Sequence, residues 1–250
     1  EVARRYLELF NEVKAERARS PRPVFRAKTM DMASRELPQP KLDHIIRLSD
    51  DVGILQHAKY IVPDRYHGYC TDDNARALIA VLMARDLIPN NEATTNLACI
   101  YLSFLHHAFD EETGRFRNFM GYDRRWLENV GSEDSHGRAV WGLGEAVALT
   151  PSVEIRSAAQ ALFEKAVPAL PGFSSPRAWA FALKGLHTYL SWFRGDSEVR
   201  RISGILIDKI FDKYLETATD DWPWVEDQLA YANGKIAQAM ILSGRSMGRS

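Results

Sequence analysis

The sequence predicts an all-α fold of antiparallel helical hairpins, and two observations support it. Apolar positions recur at three- and four-residue spacing through segments 72–86, 93–108, 135–149, 152–168, 176–193, 197–215 and 226–243, the period of a helix with one buried stripe. Short turn-rich stretches separate these segments, so successive helices double back, and no convincing strand run is left over. The segments also alternate in chemistry. Polar, aromatic-laced stretches open every second helix: Tyr69–Arg76, Gly131–Arg138, Ser174–Trp179 and Trp222–Asp227. The helices between them are plain and amphipathic. Four marked and three plain helices make about three and a half hairpins. The expected architecture is therefore an incomplete (α/α) toroid or open arc, in which alternate helices run parallel and share one N-terminal face.

Taken in order, residues 2–18 read as a helix with Tyr6, Leu9, Phe10 and Val13 on one side. A single amphipathic helix needs a partner for its apolar side; it either packs on the main domain or closes a domain upstream. Pro21, Pro23, Pro38 and Pro40 mark 20–41 as a linker. The main domain runs from Leu42, over 42–250. A short helix is expected around 51–59 and a turn at Pro63–Gly68. Pro89-Asn90-Asn91 turns helix 72–86 into the next. The connection 109–131, rich in Gly, Asn, Asp and Arg, is long for a compact domain, and such connections are commonly functional. Thr71 or Asp72, Ser132 or Ser135, Ser175 before Pro176, and Asp221 ahead of Pro223 supply N-caps or first-turn residues. The closing run 243–250 reads as cut off rather than concluded.

Composition narrows the function classes. With 32 basic and 33 acidic side chains the net charge is −1, so no global field argues for nucleic acid or an anionic membrane. No apolar run approaches the ~20 residues a membrane helix needs. Cys70 and Cys99 stand in no redox or metal spacing, which suits a reduced, cytoplasmic setting. No spaced His or Cys ligands are present, so neither a metal nor another cofactor is expected.

The marked segments carry the candidate chemistry. Asp72 and Asp73 lie where a helix dipole favours carboxylates; one can cap and pair with Arg76, but two acids beside Asn74 exceed what a cap requires. Glu133, Asp134, His136 and Arg138 crowd into one turn, where His136 could switch protonation near neutrality or the group could be a solvated charged turn. Trp222, Trp224, Glu226 and Asp227, with Tyr231 and Asn233, have the make-up of a sugar site: indoles stack on C–H patches while carboxylates and amides bond hydroxyls. A carboxyl beside an indole can also be held protonated by desolvation, as a general acid requires. Both tryptophans could equally be core. Arg117, Tyr122, Arg125 and Trp126 form a basic, aromatic cluster that grips a phosphate, nucleotide or acidic sugar, or pairs with the acids just named. Trp179 heads a helix that is mostly core.

Five runs together resemble a known module: Gly68–Leu78, Arg115–Phe119, Tyr122–Trp126, Ser132–Arg138 and Ser175–Ala180. They are similar to a helical module, six-hairpin-glycosidase-like, that follows a retaining group 1 GT-B glycosyltransferase domain in bacterial proteins. The likeness spans about residues 42–243. It implies a toroid that acts on or positions a glycan, with an upstream glycosyltransferase domain in the same chain whose closing helix residues 2–18 resemble. No nucleotide-sugar-binding domain stands in this sequence, so transferase activity is not carried over. Hydrolysis, if the module performs it, would invert: Glu226 or Asp227 as acid, Asp73 or Asp134 as base, with Trp224, Trp126 and Tyr231 holding rings. The alternatives are a non-catalytic glycan-binding module and a structural arc for protein partners.

Overall fold

The structure, a computed structural model, describes residues 2–19, 40–88 and 92–247, without the side chains of Val2, Ser246 and Met247. Most of the expected linker and the turn Pro89–Asn91 lie outside the described residues. The chain divides into two units, Glu1–Pro38 and Gln39–Ser250. The first holds helix α1 (Val2–Arg19), whose Tyr6, Leu9, Phe10 and Val13 are exposed. Tyr6 and Phe10, one turn apart, approach to 6.2 Å between ring centroids.

The second unit is dominated by helices: α2 (Asp43–Leu48), α3 (Thr71–Ala84), α4 (Glu92–Ala108), α5 (Glu133–Leu149), α6 (Val153–Ala166), α7 (Pro176–Trp192), α8 (Ser197–Thr217) and α9 (Asn233–Met247). The long helices form two layers. In one, α3, α5, α7 and α9 lie side by side in that order; in the other, α4, α6 and α8 each pack on the helix that precedes them. Apolar stripes of both layers meet in one core that includes Leu78, Tyr101, Leu143, Phe163, Leu186 and Leu206. Phe163 of α6 stacks on Tyr189 of α7 at 4.3 Å. Each such side chain contributes roughly 1.5–3 kcal/mol by leaving water.

The α5–α7 contact is the closest of these, because glycines let the backbones meet. A Cβ on Gly144 would overlap the Gly185 carbonyl oxygen, and one on Gly185 would overlap that of Val140. Four helices start on serine or aspartate caps. Ser132 accepts from Ser135 N at 3.1 Å, Ser152 from Ile155 N at 3.2 Å, Ser175 from Ala178 N at 3.3 Å and Asp196 from Val199 N at 3.0 Å. At α3 the cap is neither Thr71 nor Asp72. The Cys70 sulfur accepts from Asp73 N at 3.4 Å, since a β strand delivers Cys70 in extended backbone.

That strand corrects the expectation that no strand survives. β1 (Leu55–Lys59) and β2 (Val62–Cys70) form an antiparallel hairpin, and β5 (Phe119–Met120) pairs with β2 through Tyr69↔Met120 and Cys70↔Phe119. β3 (Phe109–Asp110) and β4 (Arg115–Phe116) make a second small ladder within the long connection. The expected helix at 51–59 and turn at 63–68 are thus replaced by the first hairpin, which turns at Tyr60 with φ 58°. The hairpin itself is local, with Lys59 opposite Val62, whereas the β5 partners of Tyr69 and Cys70, Met120 and Phe119, lie far along the chain.

The last helix also starts later than expected, at Asn233 rather than near 226, and Asp221 caps nothing. Residues 218–232 run irregularly, with Thr219 and Trp222 exchanging backbone hydrogen bonds at 3.0 and 3.1 Å. Ala232 adopts φ 56°, which a continuing α-helix cannot accommodate. No helix among the described residues is long and apolar enough to cross a membrane.

Candidate functional site

Parallel alignment of α3, α5 and α7 brings their first turns together, and the 218–232 segment closes over them. Arg138, one turn into α5, places its Nε 3.2 Å from Asp72 Oδ1 at the start of α3. Arg76 Nε approaches the same oxygen at 2.9 Å, and Arg76 also bonds Asp73. Asp134 accepts from Ser175 Oγ of the α7 cap at 2.6 Å and, through its other oxygen, from the Tyr231 hydroxyl. The Arg138 guanidinium lies 5.9 Å from the Tyr231 ring centroid. Asp72, Asp73, Arg76, Asp134, Arg138 and Tyr231 therefore belong to one continuous polar cluster contributed by segments far apart in sequence.

Within the cluster the ion pairs on Asp72 Oδ1 are not aligned as hydrogen bonds. Asp72 Oδ1 and Arg138 Nε are buried, and their approach is within ion-pair range but off the hydrogen-bond line, so neither counts a hydrogen-bond partner. Burial is the largest influence on Asp72 and raises its pKa, ahead of the opposing pull of Arg138 and then Arg76; Asp73 and Asp134 add to the rise. Tyr231 is pushed up to about 12 by burial and then by its bond to Asp134, so it stays a proton donor.

Other expected site residues are brought to the same face and do structural work there, although Glu226 Oε2 and Trp224 Nε1 are buried without a hydrogen-bond partner. Glu133 accepts from Ser174 N at 2.8 Å and Ser175 N at 2.7 Å, putting a carboxylate against the first free amides of the neighbouring helix. Arg177 spends all three nitrogens. Its Nε donates to Tyr231 O at 2.6 Å, Nη2 to Asn233 Oδ1 at 2.9 Å, and Nη1 to Glu226. Glu226 and Asn233 thus anchor the 218–232 segment. The Trp222 indole donates to Glu226 O at 2.6 Å from a half-buried position. Asp227 is exposed, and Trp224 packs partly buried against the core.

Several expectations fail on geometry. His136 is fully buried, wedged 5.1 Å from both the Phe116 and Phe173 rings, with Nε2 2.9 Å from Ala166 O. Burial drives its pKa down to about 3. It is a neutral core imidazole and no proton carrier near neutrality. Asn74 is fully buried and ties Cys70 O at 2.9 Å to Ile54 N at 3.0 Å, joining α3 to the sheet rather than facing a ligand. Trp179 is 6% exposed and its indole N–H donates to Phe173 O at 3.0 Å, which makes it core.

The basic and aromatic cluster of the long connection stays apart in its bonding. Arg117 pairs with Asp110 at 3.4 Å. Tyr122 accepts from Arg65 Nε at 2.9 Å and lies 6.2 Å from Tyr69 in a stacked pose. Arg125 is exposed, 3.6 Å from Asp123. Trp126 packs edge-on against Phe104 at 5.7 Å, on α4. What the connection does contribute is backbone: Arg117 O accepts from Thr71 Oγ1 at 2.6 Å, which holds the start of α3 in place.

Sequence reasoning missed a stripe that continues the cluster along the helices. Phe181 lies beneath Arg138, whose Cζ is 4.0 Å from the ring centroid, and stacks on Trp141 at 6.3 Å. Lys184 and Lys235 lie 4.8 and 4.9 Å from the Trp141 centroid. The spacing Arg138, Trp141, Glu145 on α5 and Arg177, Phe181, Lys184, Thr188 on α7 is that of one helix face, and could have been traced from the marked N-termini.

A further hollow lies elsewhere. A groove of about 690 Å³ runs between α7 and α8, lined by Leu183, His187, Arg194, Arg200 and Ile207 among others. Among the described residues, its lining holds no carboxylate. No three His, Cys, Asp or Glu among the described residues gather as a metal site would require. Comparison with family models, curated proteins and solved structures finds no match to this chain.

Proposed function

We propose that the shared N-terminal face of α3, α5 and α7 handles a glycan, within an incomplete (α/α) toroid that follows an upstream glycosyltransferase domain in a cytoplasmic bacterial protein. One observation carries the reading: Asp72, Arg138, Asp134 and Tyr231 gather carboxylates, a guanidinium and a hydroxyl at one spot, and the Asp72–Arg138 ion pair at 3.2 Å lacks an aligned hydrogen bond. A saccharide hydroxyl both donates and accepts, so it completes such a pair where an apolar ligand cannot.

In the catalytic form of this reading, Asp72 is the proton donor, because desolvation favours its neutral form. Asp134, held by Ser175 and Tyr231, is the carboxylate that activates water. In this form Glu226, ion-paired through Oε1 to Arg177, anchors the 218–232 segment instead of acting as the acid. The non-catalytic reading has its own support: both Asp134 oxygens are already bonded, an arrangement that equally fits a hydroxyl-binding or joining role.

Screening the chain on a glycan array, with product analysis of each hit, tests the proposal. Binding that survives in Asp72→Asn while product disappears marks an enzyme. Binding without product in the parent chain marks a glycan-binding module. No glycan retained at all sinks both.

A further inference from the structure

The stripe beyond Arg138 is electrostatically unbalanced. Lys184 and Arg138 are each 9% exposed. Lys184 and Lys235 crowd the same indole at 4.8 and 4.9 Å, and a guanidinium caps the next ring. Among the described residues, no ion pair joins either lysine to an acid. Lys235 Nζ donates to Gln238 at 3.0 Å, a neutral partner. Glu145 is the carboxylate whose charge Lys184 feels, but its Oε1 is occupied by Trp141 Nε1 at 2.9 Å and Thr188 Oγ1 at 3.2 Å.

Burial and then Lys235 both disfavour the charged form of Lys184. Indole contacts return only about 0.5–2 kcal/mol per cation. A fold gains nothing by confining like charges in this way, whereas a bound anion would turn mutual repulsion into attraction. Trp141 and Lys235 are half-buried, so the stripe is reachable from solvent at that end. Arg138 links it directly to Asp72 and Tyr231.

We infer that Lys184, Lys235 and Arg138, arrayed along Trp141 and Phe181, bind the anionic group of an acidic saccharide, a carboxylate or sulfate. The saccharide half of this inference rests on the glycan reading above. The anion half rests on the cations alone.

Calorimetric titration of the full chain with D-glucuronate, D-glucose and inorganic sulfate tests it, alongside Lys235→Met and Lys184→Met. Glucuronate and sulfate should bind, glucuronate about tenfold or more tighter than glucose, and Lys235→Met should lose about tenfold in glucuronate affinity while leaving glucose unchanged. Lys184→Met should melt at a higher temperature than the parent in anion-free buffer, because it removes a repulsion. Glucuronate binding no tighter than glucose, or unaffected by Lys235→Met, overturns the inference and leaves the glycan reading intact. Lysine-dependent sulfate binding in a chain that retains no glycan supports the anion site and removes the glycan reading.

Discussion

Arg138 and Asp72 meet at 3.2 Å across the first turns of α5 and α3, and the pair makes Asp72 a pH-sensitive joint. Burial raises the Asp72 pKa above its ordinary 3.8, so the folded chain holds this proton more tightly than the unfolded one. The contribution to stability is fully present below about pH 3.8 and is lost as pH rises through the folded value. Asp72→Asn should flatten that part of the urea-unfolding profile, whose limiting slope is about 1.4 kcal/mol per pH unit. Arg138→Met removes the largest opposing charge and should move the loss to higher pH. A parent profile that overlays Asp72→Asn across this range refutes the assignment.

His136 should act in the opposite sense. Its pKa falls from 6.5 to about 3 on folding, so the stability it contributes is present above pH 6.5 and drains as pH falls toward 3. The imidazole proton shifts in an NMR titration should stay flat between pH 5 and 8. His136→Ala, which empties a buried aromatic site, should cost about 2–4 kcal/mol. An imidazole that titrates near pH 6.5 would restore the proton-carrier role.

Gly144→Ala should destabilise by about 1–3 kcal/mol, since the new methyl overlaps the Gly185 carbonyl across the α5–α7 contact. Gly204 on α8 has nothing within 4 Å of its ideal Cβ, and Gly204→Ala should stabilise by about 0.5–1 kcal/mol through helix propensity. Chemical denaturation of the two variants reads both signs. Equal effects would mean that α5 and α7 do not touch as described.

Arg177→Ala should release the 218–232 segment. The change strands Glu226, whose side chain is 18% exposed, without its guanidinium, and removing one partner of a buried pair costs about 3–5 kcal/mol. Limited proteolysis should cut first within 218–232, before global unfolding. Unchanged cleavage kinetics would show that the clamp is dispensable.

The spans of α4, α5, α7 and α8, and the Ser132 and Ser175 caps, were legible from local spacing alone, because a helix closes its hydrogen bonds within four residues. The candidate cluster was legible in part: Asp72, Arg138, Asp134 and Tyr231 stand in segments whose polar chemistry exceeds what a helix start needs. That Trp179 and His136 were core was not, since an N-terminal position says nothing about which side of the helix faces the interior. Nor did the sequence announce the lysines around Trp141, which look like ordinary surface charges until three helices align.

By itself, the sequence determined the helical class of the fold, the approximate spans of α3 to α8 and the inventory of acids and rings at alternate N-termini, all consequences of short-range patterns. Tertiary structure alone decided the β2–β5 pairing, the late start of α9 and which acids meet which arginines. Strand pairing, Arg177 drawing backbone out of helix, and the desolvation of Asp72 all depend on neighbours distant in the chain, and no local pattern encodes a distance.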